Sequence, residues 1–260
     1  MTEFVYRDIS APQLKKWARL DDAKARREEG IFLAEGVKVV EELRAGDWEV
    51  RALLIMPDKI KCREELPPEA GSKFPVYQLT RTQWQKIGQD REPEGIMAVV
   101  QAKKPPSLST AISRTAGNFL ILHEISNPRN WGALMRSAHW FGFTGIILSA
   151  SSVDYTNPKA VRSSMGSLFH LTIVPEIDLS TSVSEIKKSF FLIGSHARKG
   201  ASPRAVQKRA ALLLGNESRG LPDELLKETD EQWSIPGSGK ADSLSLPQAA
   251  AIMMHECVKK

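Results

Sequence analysis

The segment that decides the fold is Asn127-Pro-Arg-Asn130-Trp-Gly132-Ala-Leu-Met-Arg136-Ser-Ala-His-Trp-Phe141-Gly142. It lies between two apolar runs, 119–122 and 146–148, an order typical of a buried strand, a polar loop, a helix and a second strand. Asn and Pro favour a turn at its start, and apolar residues at helical spacing predict a helix over 130–141. We expect Arg136 to point from the first turns of this helix towards the strand ends, where open α/β sheets bind ligands.

The same alternation continues to the end of the chain. Apolar runs predict strands over 119–122, 145–148, 171–174, 191–194, 211–214 and 232–235. Helical periodicity predicts helices over 130–141, 157–167, 180–189, 222–228 and 247–258. Strands that alternate with helices in this way indicate a parallel sheet covered on both faces.

The first hundred residues predict a smaller α/β module. A helix is expected over 10–29. Strands are expected over 31–34, 50–56, 74–79 and 96–100, and further helices over 36–43 and 80–87. The segment 103–110, Lys-Lys-Pro-Pro-Ser-Leu-Ser-Thr, has the composition of a linker. We therefore predict two domains, 1–106 and 107–260.

Composition limits the classes of function. The 260 residues carry a net charge of +5. Residues 1–106 hold 19 Lys and Arg against 18 Asp and Glu, whereas residues 107–260 hold 17 against 13, so the second domain carries the basic excess that favours polyanionic partners. Only Cys62 and Cys257 occur, which predicts neither a disulfide framework nor a zinc site. The N-terminal residues lack the pattern of a secretion signal and no apolar run is long enough to span a membrane, so we expect a cytoplasmic protein.

Several common catalytic motifs are present only in part. The segment 237–240, Gly-Ser-Gly-Lys, lacks the first Gly and the final Ser or Thr of a phosphate-binding loop. Two residues before Ser218, where a nucleophile elbow has Gly, this chain has Asn216. No strand is followed by GxGxxG, and neither His123-Glu124 nor His255-Glu256 has a second metalloprotease His. These patterns exclude dinucleotide oxidoreductase, metal and nucleophilic hydrolase interpretations.

Three other motifs agree with one another. In the opening segment, the order Asn-x-Gly-x-x-x-Arg-x-Ala followed by Phe-Gly resembles the first signature of the SpoU (TrmH) family of RNA ribose methyltransferases. The matching positions are Asn130, Gly132, Arg136, Ala138, Phe141 and Gly142. The second signature is similar to 213–222, and the third to Ile235-Pro236, Ser243-Leu244 and 249–251. The segment 157–166 also resembles a recurrent family segment, and Glu35-Gly36 with 94–99 resembles the family's substrate-binding domain.

The resemblance implies a fold and partners that composition and periodicity do not reveal. It implies an α/β fold with a parallel sheet and a C-terminal trefoil knot, of the SPOUT type, plus a smaller N-terminal α/β substrate-binding domain. It implies an S-adenosylmethionine site in the knotted loops and a homodimer formed through the knotted domain. The incomplete metal motifs and the lack of a long apolar run predict no metal and no membrane partner.

Site residues follow from the matched positions. The resemblance implies cofactor contacts from Gly215, Asn216, Ile235 and Leu244. A side chain at Gly215 would collide with a cofactor lying on the backbone, whereas Ile235 and Leu244 can sandwich an adenine between apolar surfaces. The implied catalytic residues are Asn130, Arg136, Glu217, Ser243 and Ser245. Lys159 and Arg162 are expected to contact RNA phosphates.

Arg136 is the central catalytic candidate. Because a guanidinium is normally fully protonated, we expect Arg136 to hold an RNA phosphate and to stabilise the developing alkoxide of the 2′-hydroxyl; the family's assignment of this Arg as the base is the alternative. Glu217 is expected to order the loops, and Asn130 to orient Arg136 or the ribose. An ordinary ion pair on the helix surface is the competing interpretation of Arg136.

The third motif departs from the family pattern, which usually reads Ser-Leu-Asn where this chain has Ser243-Leu244-Ser245. A lost amide removes two donors and one acceptor.

The preferred function is nevertheless S-adenosylmethionine-dependent methylation of a ribose 2′-hydroxyl in structured RNA, with ribosomal RNA favoured over transfer RNA because the extra domain suits a large folded target. The alternative is a non-catalytic or divergent RNA-binding protein that keeps the knot.

Overall fold

The computed structural model describes residues 6–60, 66–67, 69–238, 240 and 243–259. They form two compact units. The first contains the described residues up to Lys104 together with Thr156–Phe169, and the second contains Pro105–Tyr155 together with the described residues from His170 onward. The predicted domains 1–106 and 107–260 divide the chain near the same point, but they leave Thr156–Phe169 in the second domain.

The first unit is built on a mixed five-stranded sheet. Its strands are β1 (Arg7–Asp8), β2 (Ile31–Glu35), β3 (Val50–Ile55), β4 (Val76–Gln78) and β5 (Ile96–Gln101), in the order β1-β4-β3-β5-β2. Its helices are α1 (Ala11–Ala18), α2 (Ala23–Glu29), α3 (Val37–Ala45), α4 (Arg81–Trp84) and α7 (Pro158–Ser163). β1, β4 and β3 are parallel, and β5 is antiparallel to both β2 and β3.

The predicted helix over 10–29 is interrupted in the structure. α1 ends at Ala18, a short 3-10 helix spans Arg19–Asp21, and α2 begins at Ala23. The break occurs because the Asp22 carboxylate accepts hydrogen bonds from the backbone N–H groups of Lys24 and Ala25, at 2.7 and 3.0 Å, and so caps a new helix. The pattern of apolar residues could not show this break, because a polar side chain, Asp22, makes the new cap.

The second unit contains a six-stranded sheet in which every pair of neighbouring strands is parallel. Its strands are β6 (Phe119–Leu122), β7 (Gly145–Ser149), β8 (Thr172–Ile177), β9 (Phe191–Ser195), β10 (Ala210–Leu214) and β11 (Glu231–Trp233), in the order β11-β9-β10-β6-β7-β8. Its helices are α5 (Leu108–Arg114), α6 (Pro128–Trp140), α8 (Leu179–Lys187), α9 (Asp223–Lys227) and α10 (Leu246–Val258). All six predicted strands of this half are present, with ends shifted by up to three residues.

Burial explains why these strands are continuous apolar runs. Every residue of β6, β7 and β10 is buried, as expected for central strands with both faces covered. α10 packs against α6 and β10. Among the described residues, no helix is long and apolar enough to cross a membrane.

The predicted linker over 103–110 is only partly a connection. Ser107 caps α5, since its hydroxyl accepts a hydrogen bond from the backbone N–H of Thr110 at 3.2 Å. Leu108, Ala111 and Ile112 then pack into the core of the second unit. The Ser and Thr residues that suggested a flexible segment are therefore the start of a helix.

Candidate active site

The first two motifs meet because their strands are neighbours. β6 and β10 pair in parallel with Leu122 opposite Leu214, so the loops that follow them leave the same edge of the sheet. The backbone N–H of His123 donates to the carbonyl of Leu214 at 2.9 Å, which extends this pairing by one residue. The carboxyl edge of the sheet thus brings together segments that lie about ninety residues apart in the sequence.

Asn130 and Glu217 make the direct contact between these two motifs. Asn130 lies in the first turn of α6, and its Nδ2 donates to Oε1 of Glu217 at 3.1 Å. Both residues were predicted as catalytic from the family resemblance, and the structure brings them together. The bond holds the loop after β10 against the start of α6.

The loop after β10 is a tight turn closed by its own backbone. Asn216 and Gly220 exchange two backbone hydrogen bonds of 3.1 and 2.9 Å. The Asn216 Oδ1 accepts from the N–H groups of Ser218 and Arg219 at 3.0 and 3.2 Å. Gly220 has a φ of +70°, which favours glycine. These bonds fix where Glu217 and the backbone of Asn216 lie.

Gly215 is required by the turn itself, in addition to the cofactor contact that we predict for it. We expected a side chain here to collide with the cofactor, but a Cβ at Gly215 would lie 2.2 Å from the carbonyl carbon of Gly220 and 2.4 Å from the N of Leu221. The collision is therefore with the turn itself. Gly215 allows the turn to fold back onto the end of β10.

Glu124 was missed as a site residue. It follows β6, with a φ of 52°, and its N–H donates to Ser149 Oγ at 2.8 Å at the end of β7. Its carbonyl accepts from Asn216 Nδ2 at 2.8 Å, and its carboxylate pairs with Arg219 at 2.5 Å. Glu124 thus connects three strand ends. The signal available in the sequence was its position two residues after the end of a predicted buried strand.

His123 lies beside this junction with its Nδ1 buried and without a hydrogen-bond partner in the described part of the chain. Burial lowers the pKa of His123 from its usual value of 6.5, while the nearby Glu124 carboxylate acts in the opposite direction. The neutral imidazole is therefore favoured.

Arg136 lies deeper in α6 than expected. Because Asn127 caps the helix and Pro128 is its first residue, Arg136 is in the third turn, about 12 Å along the axis from the start. The expectation that it projects from the first turns is wrong. Its side chain is exposed and has neither a hydrogen bond nor an ion pair with any residue that the structure describes, so the competing interpretation as a surface ion pair receives no support.

The Ile235-Pro236 and Ser243-Leu244 parts of the third motif lie between β11 and α10, and residues 249–251 lie within α10. Ile235 is half-buried, whereas Leu244 is 47% exposed, an unusual position for a large apolar side chain. Ser243 and Ser245 are also exposed. Ser245 stands at the N-cap of α10, but its hydroxyl bonds Gln248 Oε1 at 3.0 Å instead of capping the helix backbone.

Lys159 and Arg162 both belong to the first unit, on α7. Lys159 is exposed and has no side-chain partner among the described residues. Arg162, in contrast, pairs with Asp90 and lies 3.6 Å from Oε1 of Glu35, which is buried. The expectation of a free phosphate-binding Arg162 is therefore corrected, because two carboxylates of its own unit already neutralise its charge.

Glu35 is the buried centre of that cluster. Burial raises the pKa of Glu35 above its ordinary value, while the N–H of Gln89 at 2.6 Å, the Arg162 charge and Trp84 Nε1 at 3.2 Å act in the opposite direction. The Glu35-Gly36 pair that suggested a substrate-binding domain is thus part of a structural cluster that holds α7 on this unit.

Fold and site together define an α/β protein whose motifs meet at the carboxyl edge of a parallel sheet, the edge at which open α/β sheets bind ligands. The chain belongs to the SpoU rRNA Methylase family, whose model matches residues 117–255. Residues 11–98 match an MRM3-like substrate binding domain. The part of the chain that the structure describes holds no group of three or more His, Cys, Asp or Glu arranged for a metal ion.

Relatives of known activity cover nearly the whole chain. The 23S rRNA (guanosine(2553)-2'-O)-methyltransferase RlmP of Bacillus subtilis is 28% identical over 246 residues, 94% of each protein. The 23S rRNA (uridine(2479)-2'-O)-methyltransferase of Streptomyces viridochromogenes is 27% identical over 95% of this chain and 90% of that protein.

Solved structures agree with these relatives. The SpoU methyltransferase AviRb of Streptomyces viridochromogenes, in complex with the cofactor AdoMet, is 26% identical with a TM-score of 0.81 over 95% of this chain and 97% of that one. An AdoMet-bound rRNA methyltransferase of Sinorhizobium meliloti is 25% identical with a TM-score of 0.79, over 97% and 95%. The predicted family, α/β fold class, methyltransferase activity and cofactor S-adenosylmethionine are confirmed.

Proposed function

We propose that this chain methylates a ribose 2′-hydroxyl of ribosomal RNA with S-adenosylmethionine as methyl donor. The observation that carries the proposal is the bond between Asn130 and Glu217, which joins two family motifs at the carboxyl edge of the sheet. The relatives with named targets support the substrate, since both are 23S rRNA 2'-O-methyltransferases.

The cofactor would be held by the loops after β10 and β11. Leu244 offers exposed apolar surface and Ile235 is half-buried, a pair suited to the two faces of an adenine. The backbone of Gly215 and Asn216 supplies polar groups at the end of β10. When bound, S-adenosylmethionine supplies an electrophilic methyl group on a positively charged sulfur.

Arg136 would act on the RNA. Its guanidinium stays protonated, so it would bind a phosphate next to the target ribose and stabilise the negative charge that develops on the 2′-oxygen. Its exposed position without a described partner leaves all its donors available. The proton would pass to a phosphate oxygen or to water rather than to Arg136.

The remaining residues would position these groups. Glu217 and Asn130 would hold the two loops in register through their hydrogen bond. Ser243 and Ser245 would present hydroxyls near the ribose. The Ser245 hydroxyl already bonds Gln248, which favours the second candidate, a divergent member that binds RNA with little or no methyl transfer.

RNA binding would use both units. The basic excess lies in residues 107–260, and Lys159 would add a phosphate contact from the first unit. Binding should weaken as salt rises, because phosphate contacts release counterions. Ribosomal RNA is favoured and transfer RNA is the alternative; a ribosomal substrate would place the enzyme in the cytoplasm.

The second unit would form a homodimer through α6 and α10. Trp140 at the end of α6 is 83% exposed and Ile252 on α10 is 40% exposed, and these two helices pack side by side. Two exposed apolar side chains on neighbouring helices favour an interaction surface here. A second copy of this chain is the proposed occupant.

The test is transfer of labelled methyl groups from S-adenosylmethionine to ribosomal RNA from cells that lack this protein, with mapping of 2′-O-methylated nucleotides. We expect one site that is absent without the protein and restored by it. Calorimetric binding of S-adenosylmethionine without transfer to ribosomal or transfer RNA would instead establish the second candidate.

A further inference from the structure

A cleft in the first unit lies outside everything assigned so far. It has a volume of about 480 Å³, within the range of roughly 300 to 1,000 Å³ that is usual for small-ligand sites. It lies at the carboxyl ends of β1, β4 and β3, which are neighbours and mutually parallel. Open α/β sheets bind ligands at that edge.

The lining of the cleft combines buried apolar residues with hydrogen-bond acceptors, among them the carboxylates of Asp8 and Asp58. Ile9 and Leu79 line it and are buried. Gln78 Nε2 donates to Asp8 Oδ1 at 2.7 Å. This bond holds both side chains in place and leaves the second carboxylate oxygen of Asp8 and the amide oxygen of Gln78 as acceptors.

Arg81 adds a cation at the rim. It is the first residue of α4, directly after Thr80, whose hydroxyl and backbone form a capping box with Gln83. The turn that carries Arg81 is therefore well ordered. Arg81 is exposed and its guanidinium has no hydrogen bond or ion pair within the described ranges.

This lining suits a ligand with an apolar body, adjacent N–H donors on one edge and an anionic group that can reach Arg81. Guanine is the standard base with two adjacent donors, N1–H and the 2-amino group, which suit one carboxylate. Adenine and cytosine place a ring acceptor beside their amino group, and uracil has a single N–H between two carbonyls.

We infer that this cleft binds an unpaired guanine nucleotide of the RNA substrate, with Asp8 accepting from the guanine edge and Arg81 contacting its phosphate. The inference rests on the proposed function only in taking RNA as the substrate. The cleft would let the first unit select its RNA by a base other than the one whose ribose is methylated, since single-stranded bases are the usual targets of sequence-specific RNA recognition.

The experiment titrates 5′-GMP, 5′-IMP, 5′-AMP, 5′-CMP and 5′-UMP into the full-length, ¹⁵N-labelled protein and follows its backbone amide signals. We expect GMP to shift the signals of Ile9, Leu79 and Arg81. IMP, which lacks the 2-amino group, should bind about tenfold more weakly, because it loses one of the two N–H donors that would face Asp8. The other three nucleotides should bind more weakly still.

Two substitutions separate the two halves of the site. Asp8→Asn should lower GMP affinity at least about tenfold and remove the preference for GMP over IMP. Arg81→Ala should keep that preference but abolish the advantage of GMP over guanosine. Asp223→Asn and Arg114→Ala, exposed residues of the second unit, are the matched controls and should leave GMP binding unchanged.

Equal shifts with all five nucleotides, or the same shifts with Mg²⁺ alone, would overturn the inference. So would unchanged GMP binding in Asp8→Asn and Arg81→Ala. Methyl transfer to ribosomal RNA is measured on the same preparations. Transfer without guanine-specific binding would overturn only the inference about the cleft. Absence of transfer by the wild-type protein would overturn the proposed function.

Discussion

Asn130 in α6 and Glu217 in the loop after β10 are joined by a 3.1 Å hydrogen bond across 87 positions of sequence. The bond exists because β6 and β10 are adjacent parallel strands, so the segments that follow them share one edge of the sheet. It ties the helix that carries Arg136 to the loop that would hold the cofactor.

The first prediction concerns this bond. Asn130→Ala should slow single-turnover methyl transfer about tenfold to a hundredfold, because small displacements of reacting groups are costly. Asn130→Asp should be slower still, since it places a second carboxylate beside Glu217. The double variant Asn130→Ala with Glu217→Ala should be no slower than the worse single variant if the two act as one unit; additive losses would contradict the coupling.

Arg136→Ala should lower the single-turnover rate about a hundredfold to a thousandfold by removing stabilisation of the 2′-alkoxide. The melting temperature should stay unchanged, because Arg136 is exposed and unpartnered among the described residues. Arg129→Ala, exposed on the same helix, is the control. Near-normal transfer by Arg136→Ala would show that Arg136 is not catalytic.

Gly215→Ala should destabilise the second unit by about 2 kcal/mol or more, since the new Cβ would lie 2.2 Å from Gly220 backbone. Urea unfolding measures the change in free energy. Gly237→Ala is the control, because no described residue lies within 4 Å of a Cβ at that position, and it should change stability by less than about 0.5 kcal/mol. Equal effects of the two substitutions would refute this account of Gly215.

The free energy of unfolding should fall as the solution becomes more acidic. The pKa of His123 is lowered in the folded protein by burial, so below the ordinary value of 6.5 the unfolded chain takes up a proton that the folded chain resists. Stability from the neutral imidazole is therefore complete above that value and is lost as pH falls below it.

The measurement is urea unfolding of the wild type and His123→Asn at about pH 7.5 and about pH 5.5. The difference between the two proteins isolates His123 from other titrating groups, among them Glu35, whose raised pKa acts in the opposite direction. Identical pH profiles for both proteins would refute the prediction.

Trp140→Glu should convert the proposed dimer into a monomer, since it places a charge in the apolar surface of α6. Size-exclusion chromatography with light scattering reports the mass. Ser184→Glu, exposed on α8, adds the same charge elsewhere and should leave the dimer intact. A wild-type protein that is monomeric at the same concentration would rule out the homodimer.

Local patterns in the sequence determined the strands of the second unit and the family of this protein. All six strands of the second unit could be predicted from apolar runs, because a parallel sheet covered on both faces needs continuous apolar strands. The order of Asn130, Arg136 and Glu217 along the chain identified the family before any contact was known. The expectation of a trefoil knot came from the resemblance alone, since threading leaves no local pattern in the residues.

Tertiary structure decided what depends on neighbours distant in sequence. It paired Arg162 with Asp90 and Glu35 in the first unit, made Glu124 the junction of three strand ends, and gave Gly215 its role against Gly220. Each of these follows from strand order and from the packing of separate segments. Residue type and spacing encode periodicity and motifs, but they do not state which strand lies beside which, and that placement determines the partners that are distant in sequence.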